Sequence, residues 1–113
     1  MVKQLECKDV KEYLKTDTKK ILLDVRTQEE WDQFGKPDGD KLGLKTYFLT
    51  LQDENFINDF KKLLISQDHE ILSICKSGQR SQIVSELLEK ENYKTVNICD
   101  GFDNWDNFNL PSL

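Results

Sequence analysis

One short segment of the chain gathers the residue types that nucleophilic sulfur chemistry needs: Cys75-Lys76-Ser77-Gly78-Gln79-Arg80-Ser81. It follows Glu70-Ile71-Leu72-Ser73-Ile74, which reads as a buried strand. It precedes Ile83, Val84, Leu87 and Leu88, whose spacing reads as one face of a helix. A cysteine just past the carboxyl end of such a strand faces the crevice where open α/β sheets bind ligands. The first turn of the following helix leaves backbone N–H groups without carbonyl partners, and these can gather round an anion. The helix dipole adds roughly half a positive charge there. Lys76 and Arg80 add full charges, Gly78 lets the loop curl through positive φ, and the hydroxyls of Ser77 and Ser81 can add hydrogen bonds. Together these features predict a Cys75 held partly as thiolate and a loop suited to a negatively charged persulfide.

A general base is not at hand. The single histidine, His69, lies at the other end of the strand leading to Cys75. Roughly five strand residues at about 3.3 Å each separate them, far beyond hydrogen-bond reach, so a protease-like Cys–His pair does not fit. The competing reading of Cys75 is an inert core thiol; Gly78, Lys76, Arg80 and the following helix weigh against it. Cys99, near the end of a later strand, is either a core residue or a thiol that approaches Cys75. Cys7 reads as structural. Trp31, Trp105, Phe34, Phe48 and Phe102 read as core aromatics, with Phe102 or Trp105 available to wall a pocket.

The elements that must position this loop alternate in type. Gln4 to Cys7 reads as a short strand, and Asp9-Val10-Lys11-Glu12 as a capping box opening a helix to about Lys15. Ile21-Leu22-Leu23-Asp24-Val25 reads as a strand buried on both faces. Thr27-Gln28-Glu29-Glu30 is a second capping box, with Trp31 and Phe34 on the helix it opens. Gly35 to Asp40 is turn chemistry. Thr46 to Leu49 reads as a strand, and Phe56, Ile57, Phe60, Leu63 and Leu64 as one apolar helix face. Thr95 to Ile98 reads as the last strand. This alternation predicts a three-layer α/β/α arrangement, a largely parallel sheet with helices on both faces.

Composition narrows the function. The 113 residues suit one compact domain over 1–113. A formal net charge of -5 argues against general nucleic-acid binding and against docking on an anionic membrane. The first residues lack a secretory core, and no apolar run is long enough to span a bilayer. Three cysteines at wide spacing form neither a disulfide framework nor a zinc knuckle. These features point to a cytoplasmic protein without a metal, and Asp103 and Asp106 match no metal-site spacing.

The loop from Cys75 to Ser81 resembles the active-site loop of the rhodanese family. Leu22 to Trp31 resembles the family's early leucine-aspartate-valine-arginine motif, and Asp100 to Trp105 with Leu110-Pro111 is similar to its closing glycine-to-tryptophan signature. The resemblance implies a five-stranded parallel α/β domain and transfer of sulfane sulfur through Cys75. An anionic donor such as thiosulfate would load it, and a protein thiol, a small thiol or cyanide would take the sulfur. Backbone N–H groups from Lys76 to Ser81 would cradle the outer sulfur, with Lys76 and Arg80 drawing in the donor. Asp24 and Arg26 would act as supports at a neighbouring strand end. No metal or organic cofactor is implied. The sequence departs from the family at Gly35-Lys36-Pro37-Asp38-Gly39, which lacks the usual histidine, and at Asp100, which replaces the first glycine of the closing pair. Two rivals remain: a non-catalytic rhodanese-like regulatory or binding module, and a phosphatase or arsenate reductase of the related group. The latter has five residues between Cys and Arg, whereas four separate Cys75 from Arg80 here.

Overall fold

The computed structural model describes residues 1–51 and 54–113. Five strands form one sheet: β1 (Lys3–Leu5), β2 (Lys20–Asp24), β3 (Lys45–Phe48), β4 (Glu70–Ile74) and β5 (Lys94–Ile98). Their order is β1-β5-β4-β2-β3, and every pairing is parallel. Among the described residues, four α-helices connect them: α1 (Val10–Tyr13), α2 (Gln28–Phe34), α3 (Phe56–Lys62) and α4 (Gln79–Lys90). Strand and helix alternate as the apolar runs predict, because each parallel step needs a crossover long enough to hold a helix.

Alternation along the strands splits the core into two layers. Leu22, Leu72, Ile74, Val96 and Ile98 face one side, under Val10 of α1 and the carboxyl-terminal Phe102, Trp105 and Leu110. Ile21, Leu23, Ile71 and Cys75 face the other, under Phe56 and Phe60 of α3 and Val84 and Leu88 of α4. The sheet is therefore covered on both faces, which is why every residue of β2 and β4 after the first is buried, around the apolar runs Ile21-Leu22-Leu23 and Ile71-Leu72. No helix among the described residues is long and apolar enough to cross a membrane.

Local expectations fare unevenly. The Thr27 capping box forms in full, with the Glu30 amide donating to the Thr27 hydroxyl while the Glu30 carboxylate accepts from the Thr27 amide. The Asp9 box does not form. Cys7–Asp9 is already a 3-10 turn, so Asp9 has helical backbone angles and makes no side-chain cap, whereas a capping residue needs an extended backbone. For the same reason β1 ends at Leu5 rather than Cys7; α1 ends at Tyr13 rather than Lys15, where the Lys15 and Thr16 amides turn to the Glu12 and Tyr13 carbonyls three residues back. Leu64 is off the apolar face: α3 stops at Lys62, and Leu64 turns through φ 55° and stands 88% exposed.

Candidate active site

Cys75 follows β4 directly, and α4 begins at Gln79, so only Lys76, Ser77 and Gly78 separate the sulfur from a helix amino terminus. The loop reverses tightly. Gly78 adopts φ 97°, and a Cβ there would run into the carbonyl of Cys99; an ordinary L residue fits neither the angle nor the space. The closing segment packs against the same loop. The amides of Phe102 and Asp103 donate to the carbonyls of Cys75 and Lys76 at 2.8 and 3.0 Å, an approach that requires Gly101, whose Cβ would meet those carbonyls.

The curl directs backbone hydrogens at sulfur. The amides of Gly78 and Ser81 donate to Cys75 Sγ at 3.1 and 3.3 Å. Ser81 Oγ lies 3.3 Å from the same sulfur and donates to Asn97 Oδ1 at 2.6 Å. The Asn97 amide nitrogen in turn donates to the Gly78 carbonyl at 3.2 Å. Cys75 is 1% exposed, and Ser81 and Asn97 are buried beside it. Of the residues expected from sequence, the fold thus brings Cys75, Gly78 and Ser81 together. The side chains of Ser77 and Gln79 point elsewhere: both residues are exposed and line a cleft of about 450 Å³ beside the loop, with Cys99 and Asn97. The Ser77 hydroxyl stands exposed in that cleft, next to the point where the loop curls inward at Gly78.

The two loop cations are not free charges. Arg80 grips Glu30 through both terminal nitrogens, at 2.6 and 2.8 Å. The Arg80 guanidinium, helped by the Thr27 cap, holds the Glu30 carboxyl down at about 2. Arg80 remains within electrostatic range of Cys75. Lys76 Nζ bonds both oxygens of Asp103, at 2.9 and 3.1 Å, and lies 5.6 Å from the Phe34 ring. Glu30 was legible only as a helix cap; its second partner lies fifty residues along the chain. Asn97 left a clearer signal, an amide within a strand buried on both faces, where polar atoms must find partners.

At the end of β2, Asp24 and Arg26 form a buried pair, with Nη2 at 2.8 Å from Oδ2 and Nε within 3.1 Å of both oxygens. Arg26 also donates to the Gly35 carbonyl at 3.0 Å and covers the Phe102 ring at 4.2 Å. This pair ties the early motif to the closing one. Arg26, Phe34, Lys76, Phe102, Asp103 and Asp106 line a cleft of about 190 Å³. Asp100 accepts from the Cys7 amide at 2.9 Å and from Asn104 at 2.8 Å, so it stitches the 3-10 turn after β1 to the closing turn. Burial pushes the Cys7 and Cys99 thiols up, and neither is in a disulfide.

Comparison with known proteins bears on the fold that carries this loop. The family described as "Rhodanese-like domain" matches residues 6–108. A Rickettsia prowazekii protein, RP600, is 40% identical over 100 residues, covering 80% of each chain. The crystal structure of Rv0390 from M. tuberculosis superposes with a TM-score of 0.82 at 23% identity, covering 97% of this chain and 96% of that one. The polysulfide-sulfur transferase homodimer of Wolinella succinogenes superposes with a TM-score of 0.78 at 23% identity, covering 99% and 78%.

Proposed function

This chain belongs to the rhodanese-like domain family, and from that premise we propose that it is a sulfurtransferase whose carrier is a persulfide on Cys75. The observation that carries the reading is the pair of backbone amides, from Gly78 and Ser81, directed at Cys75 Sγ. Amide hydrogens stabilise a negatively charged sulfur without needing a proton-accepting neighbour, and bonds to a charged acceptor are stronger than neutral ones. The amides of Gln79 and Arg80, in the same first turn, take no carbonyl among the described residues. They supply donors for the outer sulfur.

The chemistry balances as two displacements. The Cys75 thiolate attacks the outer sulfur of thiosulfate. The new S–S bond forms as the bond to the sulfonate sulfur breaks, and sulfite leaves with the electron pair. An acceptor thiolate, or cyanide, then attacks the outer sulfur of the persulfide and returns Cys75 as thiolate. Lys76 and Arg80 orient the anionic donor through charges already offset by Asp103 and Glu30, so selectivity among donors rests on the amides more than on net charge. A polysulfide, the donor class named for the Wolinella protein, meets the same requirement of a terminal sulfane sulfur.

One observation favours a second reading, a non-catalytic regulatory or binding module: the carrier thiol is only 1% exposed and both nearby cations are paired. A thiosulfate-to-cyanide assay separates the two. The transferase reading expects thiocyanate from the wild type and none above background from Cys75→Ala. Equal rates from both proteins would remove Cys75 from the reaction.

A further inference from the structure

The hydroxyl beside the sulfur has one proton and two neighbours that could take it. Ser81 Oγ lies 2.6 Å from Asn97 Oδ1 and 3.3 Å from Cys75 Sγ. Which end of the Asn97 amide faces Ser81 is fixed by its other contacts. The Asn97 nitrogen lies 3.2 Å from the Gly78 carbonyl oxygen, which can only accept. It also lies 2.9 Å from Gln4 Oε1 and 3.2 Å from Gln82 Oε1. With the NH₂ group committed there, the carbonyl oxygen must face Ser81, and a carbonyl oxygen carries no proton. The Ser81 proton therefore lies on the bond to Asn97, and Ser81 presents a lone pair to Cys75.

We propose that Asn97 is a positioning residue that withholds the Ser81 hydroxyl proton from Cys75, so that the hydroxyl accepts from the thiol while backbone amides, those of Gly78 and Ser81 on Sγ itself, serve the anion. The two kinds of donor then differ in effect. The amides favour charged sulfur in every state of the cycle. The hydroxyl favours the protonated thiol and gives the persulfide no added hydrogen bond, which keeps the loaded sulfur ready to be passed on. Removing the competing acceptor frees the hydroxyl to rotate and donate to the thiolate. This inference rests on the sulfurtransferase reading for its biological meaning but not for its test.

The test is the rate at which iodoacetamide alkylates Cys75 in the full chain near neutral pH, read on the peptide that bears it. Asn97→Ala is expected to raise the rate about three- to fivefold, because the hydrogen bond gained raises the thiolate fraction while making each thiolate somewhat less nucleophilic. Asn97→Asp keeps an acceptor beside Ser81 and is expected not to exceed the wild-type rate. In a Ser81→Ala background, Asn97→Ala is expected to change the rate less than about twofold. Acceleration of equal size with and without the Ser81 hydroxyl would mean a loosened loop and would overturn the proposal, as would no acceleration at all. Ser81→Ala alone gives a second check that leaves Asn97 in place. It is expected not to slow alkylation, and a clear slowing would show the hydroxyl already donating to sulfur. Should alkylation behave as expected while thiosulfate or polysulfide loads no sulfur, the transferase reading fails and the hydroxyl assignment stands.

Discussion

The two ends of the sheet differ in a way that separates space from chemistry. At the amino ends of β2 and β3, a cavity of about 650 Å³ is lined by residues including Lys20, Leu44, Lys45, Tyr47, Leu64 and His69. At the carboxyl ends, the clefts beside the Cys75 loop measure about 190 and 450 Å³. The roomier end has side-chain ammonium groups that are stacked, paired or hydrogen-bonded locally, as Lys45 is over Tyr47 and Lys20 is to Thr16 and Thr18 at 2.7 to 3.0 Å. The tighter end has what the other lacks, a nucleophile held by backbone amides at a helix amino terminus. Cavity volume marks where something could fit; fixed donors around a reactive atom mark where charge can develop at low cost.

Substitutions at the two ends should therefore have unequal consequences. The largest loss is expected from Asp24→Ala at the carboxyl end. It strands the Arg26 charge in the core, and breaking a buried pair costs about 3–5 kcal/mol. Thermal unfolding should show a drop in Tm of roughly 10 °C or more. Gly78→Ala comes next, because the added methyl meets the Cys99 carbonyl and the residue must hold φ 97°. Displacing the sulfur from its donors should lower the rate of sulfur loading roughly a hundredfold, and an unchanged rate would show that the curl is not needed.

A smaller effect belongs to Glu30. Its carboxyl is held at about 2 by Arg80, below the ordinary value of about 4.3 for a glutamate. The unfolded chain thus takes up the proton first as pH falls. The pair's contribution is complete above about pH 4.5 and is lost as pH drops toward 2. Glu30→Gln keeps the helix cap but removes the charge, so the Tm of the variant should depend less steeply on pH across that window than the wild-type Tm does. Parallel pH curves would contradict the ion pair. The smallest effect is expected at the amino end, where Lys45→Ala and His69→Ala should each leave thiosulfate-to-cyanide turnover within about twofold. A large loss there would break the contrast between the two ends.

Much of this contrast could be read along the chain. The continuous apolar runs at β2 and β4, the Thr27 capping box and the glycine three residues past Cys75 are local signals, and the fold reproduces each. What stayed hidden depends on partners distant in sequence. Lys76 and Arg80 read as free cations because Asp103 and Glu30 reach them only after the closing turn and α2 dock on the loop. Ser77 and Ser81 look equivalent on paper, yet the reversal at Gly78 turns one outward and buries the other. The failed Asp9 cap has a similar origin: the anchoring of the Cys7 amide by Asp100, ninety-three residues away, accompanies the early 3-10 turn.

The most direct test is to treat the protein with thiosulfate and locate added sulfur by intact-mass and peptide mass spectrometry. The wild type should gain one sulfur atom, mapped to Cys75, and Cys75→Ser should gain none although Cys7 and Cys99 remain. Sulfur found on Cys99 or Cys7, or retained by Cys75→Ser, would contradict the assignment of the amide-lined loop as the carrier site.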